Sequence, residues 1–284
     1  ISGTSSGKTM GLTSYGKVVD EWLPTFEKHI LTYNKKPAKQ GEEINPYGKC
    51  HTINWDHIST IEEIKKFINE DGSSSLSITD EITQDICKTM QAAWAKCVLR
   101  LINQYSDLSK NLCVTGGCAL NGIANYQLQK EEIFNNYHFI PNPTDCGLSI
   151  GAALYVYYEK SNIEFSGNKE YFSPYLGEEI YDKNKLPELK KDYKNISYKE
   201  DLITEKLADL ICKDKIVGVI RGRYEIGPRA LGNRSILCNS QNKEMRDILN
   251  HKVKHREWYR PFAPVCTAED ASKYFTNDSE IPYM

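Results

Sequence analysis

The sequence of 284 residues lacks several features that would place it in a class at once. It contains no apolar run near the roughly 18 residues of a membrane-spanning helix. Its first residues show no basic-then-apolar leader, so we expect a cytoplasmic protein with no membrane partner. The formal net charge is only −2, which gives no overall attraction to polyanions, and no nucleic-acid partner is expected.

Paired cysteines are also missing. The nine cysteines are an odd number without a CxxC pair, which excludes both zinc-ribbon spacing and the framework of a small disulfide-rich domain. We expect reduced thiols that act as small packing residues, Cys118 and Cys146 included. Five of them lie in apolar segments that predict burial, namely Cys87, Cys97, Cys113, Cys238 and Cys266.

The hydrophobic pattern predicts an α/β fold. Apolar residues at helical spacing predict an amphipathic helix over 81–105, with a core stripe of Ile82, Ile86, Met90, Ala93, Cys97 and Leu101. A strand at 112–115, the segment 137–141 and a helix after Gly147 continue the pattern. The polar stretch 162–201 is typical of a linker, and a helix at 202–212 and a strand at 216–220 follow it.

The most informative segment runs from Arg221 to Pro264, where seven arginines and three lysines fall among glycines and prolines. A guanidinium presents a planar fork of donors that matches phosphate and carboxylate oxygens. Glycine lets main-chain N–H groups approach a ligand closely. Because acidic residues elsewhere offset the charge, the segment indicates a local anion pocket. The alternative is a solvated basic surface with ordinary turns.

A second glycine motif lies upstream. The sequence NLCVTGGCALN, residues 111–121, predicts a short buried strand that runs into a Gly-Gly turn. Such a turn suits close approach of the backbone to a nucleotide phosphate or ribose. The alternative is that the strand simply ends in a turn.

Two histidines have the spacing of a zinc site but the wrong neighbours. His251 and His255 are four residues apart, which would place both imidazoles on one helix face. They lie among Lys252, Lys254 and Arg256, where a dication would be repelled. We therefore favour surface or phosphate-contacting histidines over a metal site.

Several motifs together resemble the O-carbamoyltransferases of the nodulation, cephamycin and tobramycin type. The downstream signatures are GRYEIGPRALGNRSIL at 222–237 and VKHREWYRPFAP at 253–264. The upstream ones are TMGLTSYG at 9–16, GGCALN at 116–121 and FIPNPTDCG at 139–147. The resemblance departs from the usual pattern at Thr13 and Ser14, where the family has Ala-Pro.

The resemblance implies two partial domains. Residues 1–165 would be the C-terminal half of an actin-like (ASKHA) ATPase-type domain, 166–185 a linker, and 186–284 a YrdC-like α/β domain that binds carbamoyl phosphate. Both ends resemble cuts in the family pattern, with an expected HxxxH metal pair before Ile1. We therefore expect the chain to be incomplete for catalysis of the whole reaction.

The resemblance also implies a reaction and a set of residues. The family makes carbamoyl-adenylate from carbamoyl phosphate and ATP, then transfers the carbamoyl group to a hydroxyl of a sugar, antibiotic or related small acceptor. The expected catalytic residues are Arg229, Lys254 and Arg260. Carbamoyl phosphate and ATP would be bound by Arg223, Asn233, Arg234 and Arg256, and the nucleotide by Gly116, Gly117 and Asn121.

Asp145 would be a ligand of a divalent metal, Fe or Mg, in the same resemblance. The alternative is that Thr144 and Asp145 only cap the following helix. The acceptor stays unidentified, although a surface excursion at 32–76 and the aromatic residues Trp55, Trp258 and Tyr259 are candidates for contacting it. The alternative for the three aromatic residues is an ordinary packing role. The oligomeric state, a homodimer included, also stays open.

Three other readings remain. The same domain pairing occurs in proteins of tRNA threonylcarbamoyl-adenosine formation and of hydrogenase maturation, but GPRALGNRS and REWYRPFAP favour the first family. An actin-like sugar kinase would explain the glycine turn and Asp145 but not the arginines. A non-catalytic nucleotide-binding module would bind ATP without an effect of carbamoyl phosphate.

Overall fold

The computed structural model describes residues 6–33, 58–71, 73–161, 163, 173–179, 188, 191 and 204–276. Much of the predicted surface excursion at 32–76 and of the predicted linker at 166–185 lies outside these residues, as does Trp55. Contacts divide the chain into two units. Unit 1 comprises Ile1–Leu112, Asn121–Tyr137 and Arg256–Pro261, and unit 2 comprises Cys113–Leu120, His138–His255 and Phe262–Met284.

The described residues form a mixed α/β structure, as the sequence predicts. The helices are α1 Ser6–Leu12, α2 Leu23–Tyr33, α3 Glu62–Lys65, α4 Glu81–Asn103, α5 Gly122–Lys130, α6 Leu148–Ser161, α7 Thr204–Cys212, α8 Met245–Ile248 and α9 Ala271–Tyr274. The strands are β1 Asn111–Val114, β2 Asn136–Phe139, β3 Val217–Ile220 and β4 Arg234–Leu237.

The core of unit 1 forms around α4, the predicted amphipathic helix. Ile86 and Ala93 pack in one cluster with apolar residues of α2 and α3 and of the segments before these helices. Those residues are Trp22, Leu23, Phe26, Ile58, Ile61 and Ile64. Leu101 is 55% exposed, contrary to the predicted stripe. It lies in the last turn of α4, so the buried face ends before the helix does.

Buried polar residues of α4 hold the chain that follows α1. The carboxylate Oδ1 of Asp85 accepts a hydrogen bond from the Lys17 N–H at 2.8 Å. The hydroxyl of Thr89 accepts one from the Val19 N–H at 3.0 Å. Both side chains are buried, and these N–H groups provide the partners that buried acceptors require.

Each two-stranded sheet has its own pattern. The Asn136 N–H donates to Lys110 O at 3.2 Å and the Ile140 N–H to Val114 O at 3.3 Å, so β1 and β2 run in the same direction. Strands β3 and β4 are antiparallel, with Val217 opposite Leu237 and Ile220 opposite Arg234. The segment between β3 and β4 carries much of the basic motif.

Helix α6 is apolar on all sides, yet none of its residues is buried. Leu148, Tyr155 and Val156 are each more than half exposed. A helix of this composition is normally a core element. No helix in the described part of the chain combines the length and the apolar character needed to cross a membrane.

The cysteine predictions were partly wrong. Cys87 and Cys97 are buried, whereas Cys113, Cys118, Cys146 and Cys266 are exposed. Burial alternates along β1, and Cys113 lies on its exposed face. All eight cysteines in the described ranges are free thiols, and Cys50 lies outside those ranges.

The backbone at Gly16 packs closely against α4, and the Gly16→Ala substitution tests that contact. A Cβ on Gly16 would lie 2.1 Å from Gln84 O and 2.7 Å from Asp85 N. We expect alanine to lower the free energy of unfolding by about 1–3 kcal/mol, because helix backbone cannot move aside easily. Chemical denaturation measures the change.

The matched control is Gly122→Ala. Gly122 begins α5, and a Cβ there meets nothing within 4 Å. Alanine should leave stability unchanged or raise it, because alanine is the better helix former. Equal effects of the two substitutions would contradict the packing described for Gly16.

Candidate functional site

The basic loop, residues 221–234, joins β3 to β4 in unit 2. Its ends are closed by a hydrogen bond from the Arg221 N–H to Asn233 O at 3.0 Å. Gly222, Gly227 and Gly232 have φ angles of +52°, +106° and +110°. Other residues adopt such angles only with strain, so glycine is required for this path of the backbone.

A carboxylate that the sequence analysis did not select organises the loop. The side chain of Glu225 is fully buried. Its Oε1 accepts hydrogen bonds from the N–H groups of Leu231 and Asn233, both at 2.7 Å. Arg234 donates from Nε to Oε2 at 3.1 Å and from Nη2 to the Glu225 carbonyl at 2.6 Å.

The surroundings of Glu225 keep it ionised. Burial alone would raise its pKa, but the N–H groups of Asn233 and Leu231 and the Arg234 guanidinium outweigh burial and lower the pKa to about 2. One sequence signal could have identified it. Glu225 is the only acidic residue between Arg221 and Lys243.

The contacts with Glu225 therefore fix the Arg234 side chain within the basic loop. Besides the contacts with Glu225, its guanidinium lies over the Tyr224 ring, 4.9 Å from the centroid. Cation–π contact and the ion pair both fix the side chain. This geometry gives Arg234 a structural task in addition to the predicted role in binding anions.

Arg223 and Asn233 are also tied to the protein. Arg223 donates from Nε to Gly177 O and from Nη2 to Leu176 O, both at 2.8 Å. Asn233 donates from Nδ2 to Arg223 O at 2.6 Å and accepts from Arg221 Nε at 3.1 Å. The structure thus brings Arg223, Asn233 and Arg234 together around Glu225.

Residues 173–179, the described part of the predicted linker, run along the basic loop. The Ile226 N–H donates to Pro174 O at 2.7 Å, and the Gly177 N–H donates to Tyr224 O at 2.9 Å. A Cβ on Gly177 would lie 2.6 Å from both Tyr224 O and Tyr224 Cδ2. Close pairing of backbones therefore holds this part in place.

Arg229 differs from the other described arginines of unit 2, Arg221, Arg223, Arg234 and Arg246, whose side chains are bonded within the protein. Arg229 is half-buried on the basic loop, and its guanidinium has no hydrogen bond or ion pair within the described residues. Lys254 is exposed just after a π-helical turn, Leu249–Val253. Its backbone N–H donates to Leu249 O at 2.8 Å, and its side chain has no partner in the ranges that the structure describes. Both side chains can therefore bind an anion without first giving up an ion pair.

Arg256 and Arg260 belong to unit 1, where they flank Glu257. Glu257 forms an ion pair with Lys8 of α1, and Arg260 Nη1 lies 3.9 Å from Glu257 Oε2. Arg256 donates from Nη2 to Pro261 O at 3.2 Å. Burial and the neighbouring Arg260 lower the Arg256 pKa, which indicates that the two guanidinium groups repel each other.

The aromatic residues of this segment have packing roles. Tyr259 is buried with Leu12 and Cys87. Trp258 contacts Tyr15 edge to face at a centroid distance of 4.8 Å. Lys8 and this aromatic packing fix the position of the segment in unit 1. The sequence analysis had selected Trp258 and Tyr259, for acceptor contact or for packing, but had not selected Lys8.

The glycine turn after β1 has an open backbone. Gly116 has a φ of +84°, and a Cβ on Gly116 or Gly117 would meet nothing within 4 Å. The side chain of Asn121, which follows this turn, is hydrogen-bonded within unit 1. It exchanges hydrogen bonds with the Gln91 amide at 3.1 and 3.0 Å, and its Oδ1 caps α5 by accepting from the Ala124 N–H at 3.1 Å.

Asp145 is exposed at the start of a short 3₁₀ turn, Asp145–Gly147, which Thr144 caps by accepting from the Cys146 N–H at 3.4 Å. No group of three or more His, Cys, Asp or Glu side chains able to hold a metal occurs among the described residues. Asp145 alone therefore does not make a metal site. His251 lies in the π-helical turn and His255 beyond it at a φ of +46°, so they do not share the face of one regular helix.

Comparisons with known proteins agree with these motifs. Residues 2–154 match the family described as carbamoyltransferase N-terminus, and residues 208–284 match carbamoyltransferase C-terminus. An uncharacterized protein of Synechocystis is 38% identical over 232 residues, which is 78% of this chain and 37% of the relative.

Two relatives are named nodulation proteins. Nodulation protein NolO of Bradyrhizobium diazoefficiens is 33% identical over 211 residues, 71% of this chain and 38% of the relative. Nodulation protein U of the same organism is 28% identical over 285 residues, 98% of this chain and 46% of the relative. The chain thus spans less than half the length of the curated relatives that it matches.

The Glu225→Gln substitution tests the organisation of the basic loop. The folded-state pKa of about 2 lies below the ordinary value of 4.5, so the stabilising effect is present above pH 4.5 and is lost as the pH falls toward 2. This shift corresponds to about 3 kcal/mol of stability at neutral pH. We expect glutamine to remove most of it and to flatten the pH dependence between about pH 5 and pH 2.

Urea denaturation at several pH values measures both effects. The control is Glu205→Gln, which removes one negative charge from an exposed position on α7 in the same unit. The control should keep the acid transition of the unsubstituted chain. If both substitutions left stability and its pH dependence unchanged, Glu225 would not be the anchor of the loop.

Proposed function

The chain belongs to the carbamoyltransferase family, and on that premise we propose that it acts in carbamoyl transfer to a small-molecule hydroxyl. In the first stage, carbamoyl phosphate and ATP yield carbamoyl-adenylate. In the second stage, the carbamoyl group passes to a hydroxyl of a sugar, antibiotic or related acceptor.

The observation that carries this proposal is the pair of family matches, at 2–154 and 208–284, in one chain. The basic loop supports it, because an anionic substrate such as carbamoyl phosphate needs cations that are free to bind it. The actin-like and YrdC-like architectures belong to the same proposal, with the domain boundaries at 165 and 186.

Arg229 is the residue of the basic loop best suited to contact the substrate. Its guanidinium has no partner among the described residues, whereas Arg223, Asn233 and Arg234 are bonded within the protein. We therefore assign anion binding in unit 2 to Arg229 and Lys254. Arg223, Asn233 and Arg234 give the loop the shape that presents Arg229.

We propose an anion-binding role for Arg260 and Arg256 as well. In the first stage, water cleaves carbamoyl phosphate to carbamate and inorganic phosphate. An oxygen of the carbamate then attacks the α-phosphorus of ATP, which gives carbamoyl-adenylate and pyrophosphate. Positioned cations neutralise the negative charge on the transferring groups, and such reactions depend on positioning and charge stabilisation. This stage requires no covalent nucleophile from the protein.

The glycine turn is the proposed nucleotide contact. Gly116 and Gly117 leave backbone groups open to a phosphate or a ribose, and Asn121 would act by fixing the start of α5 while bonded to Gln91. Asp145 would supply one carboxylate toward a divalent cation, Fe or Mg, which when bound polarises the carbamoyl carbonyl or the accepting hydroxyl. The described residues do not complete that site.

Replacing Arg229 and Arg260 together by alanine tests the anion-binding proposal. We expect the double variant to bind carbamoyl phosphate at least about 100-fold more weakly, because each hydrogen bond to a charged group contributes ~1.5–3 kcal/mol. Isothermal titration calorimetry of carbamoyl phosphate, with and without a non-hydrolysable ATP analogue, measures the affinity.

The matched control replaces Arg100 and Arg246, one arginine from each unit, which pair with Glu27 and Asp247. It removes the same charge and should keep the affinity of the unsubstituted chain. Equal losses of affinity in the two double variants would mean that Arg229 and Arg260 act only through the net charge of the protein and not through specific contacts with carbamoyl phosphate. ATP binding that carbamoyl phosphate does not influence would favour the sugar kinase or the nucleotide-binding module.

Asp145→Ala tests the division of labour between the two stages. We expect this variant to retain carbamoyl-phosphate-dependent exchange of pyrophosphate into ATP, because Asp145 is assigned to the second stage only. Arg229→Ala should abolish the exchange. Radiolabelled pyrophosphate exchange measures this stage, and equal loss in both variants would contradict the assignment.

A further inference from the structure

Asn142 carries a buried hydrogen-bond donor that has no acceptor. The residue is only 2% exposed, and its Nδ2 makes no hydrogen bond to any residue that the structure describes. Among the described residues, only one other buried side-chain atom, Thr83 Oγ1, lacks a partner. Because buried polar groups nearly always have partners, an exception often marks a place where a ligand or another conformation supplies one.

The surroundings of Asn142 are two glycines of unit 2. A Cβ on Gly147 would lie 2.6 Å from Asn142 O and 3.4 Å from Asn142 Nδ2. A Cβ on Gly227 would lie 3.0 Å from Asn142 Cβ and 3.4 Å from Pro141 O. Asn142 therefore fills the contact between the Asp145–Gly147 turn and the first glycine of the Gly227–Gly232 stretch.

The two ends of this stretch are held differently. At the far end, Glu225 binds the N–H groups of Leu231 and Asn233. At the near end, Gly227 has a φ of +106° and packs on the Asn142 side chain. Arg229, which lies between them, has no partner in the described part of the chain. The near end of the stretch is therefore packed on Asn142, whereas the far end is hydrogen-bonded to Glu225.

We propose that Asn142 is an additional ligand-binding residue, whose Nδ2 donates a hydrogen bond to an oxygen of carbamoyl phosphate when that anion binds to the basic loop. The inference rests on the proposed function for the identity of the anion. An amide N–H is a suitable donor to a phosphate or carbamoyl oxygen, and the hydrogen bond is strengthened by the charge of the acceptor. The ligand then supplies the acceptor that the unliganded site lacks.

The Asn142→Leu substitution separates this role from a packing role. Leucine has a similar size but no donor, so the stability of the unliganded chain should stay equal or rise, since an unsatisfied polar group has been removed. The Kd for carbamoyl phosphate should rise about tenfold or more, as expected for loss of a hydrogen bond to a charged group. Calorimetry on the 284-residue chain measures the Kd, and thermal unfolding measures the stability.

The matched control is Thr83→Val, which removes the other unpartnered buried atom, on α4 of unit 1. It should leave the Kd unchanged. An Asn142→Leu chain that binds carbamoyl phosphate within twofold of the unsubstituted chain overturns the inference. If the unsubstituted chain does not bind carbamoyl phosphate, the proposed function fails first and the inference fails with it.

A second readout covers the case in which Asn142→Leu does not fold. The side-chain amide resonances of Asn142 are assigned by their absence from the spectrum of Asn142→Asp, which keeps the shape but lacks the NH₂ group. Saturation of the unsubstituted chain with carbamoyl phosphate should shift one amide proton downfield, as expected for a new hydrogen bond. An unchanged Asn142 resonance in a chain that binds the ligand overturns the inference.

Discussion

The buried carboxylate of Glu225 is the interaction on which the basic loop depends. It accepts hydrogen bonds from two backbone N–H groups and from the Arg234 guanidinium, so a buried charge has a full set of partners. Breaking such a set is costly, because it leaves an uncompensated charge in the interior. The positive φ angles of Gly227 and Gly232 let the backbone turn back toward this one acceptor.

This anchor divides the arginines of the loop into two groups. Arg223 and Arg234 are used to close the structure, the first through the carbonyls of Leu176 and Gly177 and the second through Glu225. Arg229 is left without a partner among the described residues. If all arginines of the loop were bonded within the protein, no arginine would be left to contact an anion. If no arginine were bonded within the protein, the loop would have no defined shape. The observed division meets both requirements.

Local patterns predicted several of the helices and strands, although not β4 or helices α1, α2 and α5. Helix α4 was expected over 81–105 and spans Glu81–Asn103, and β1 was expected at 112–115 and spans Asn111–Val114. These elements follow from periodicity and glycine positions within a short window. The exposure of Leu101 and Cys113 could not be predicted in this way, because burial depends on which neighbours the fold supplies.

The residues of the candidate site could be selected from the sequence, but the contacts that these residues make could not be predicted from it. Motifs identified Arg229, Asn233 and Asp145, and they identified the glycines that shape the backbone. They did not indicate that Arg223 would bond to carbonyls 46 and 47 residues away, or that Asn121 would pair with Gln91, 30 residues away. Glu225 and Asn142 were missed for the same reason, since their importance comes from burial and from partners that only the fold brings close.

Glu225 and Glu257, two of the three glutamates between Arg221 and Pro264, show how burial decides what a charge can do. Glu225 is fully buried and accepts hydrogen bonds from backbone N–H groups, so water does not compete for its contacts. Glu257 keeps 28% of its side chain exposed and is paired with Lys8 and Arg260, where water and salt weaken the attraction. An incoming anion therefore competes far more easily with Glu257 than with Glu225. The buried contacts of Glu225 fix the shape of the basic loop. The partly exposed ion pairs of Glu257 position Lys8 and Arg260 and leave these cations able to contact an anion.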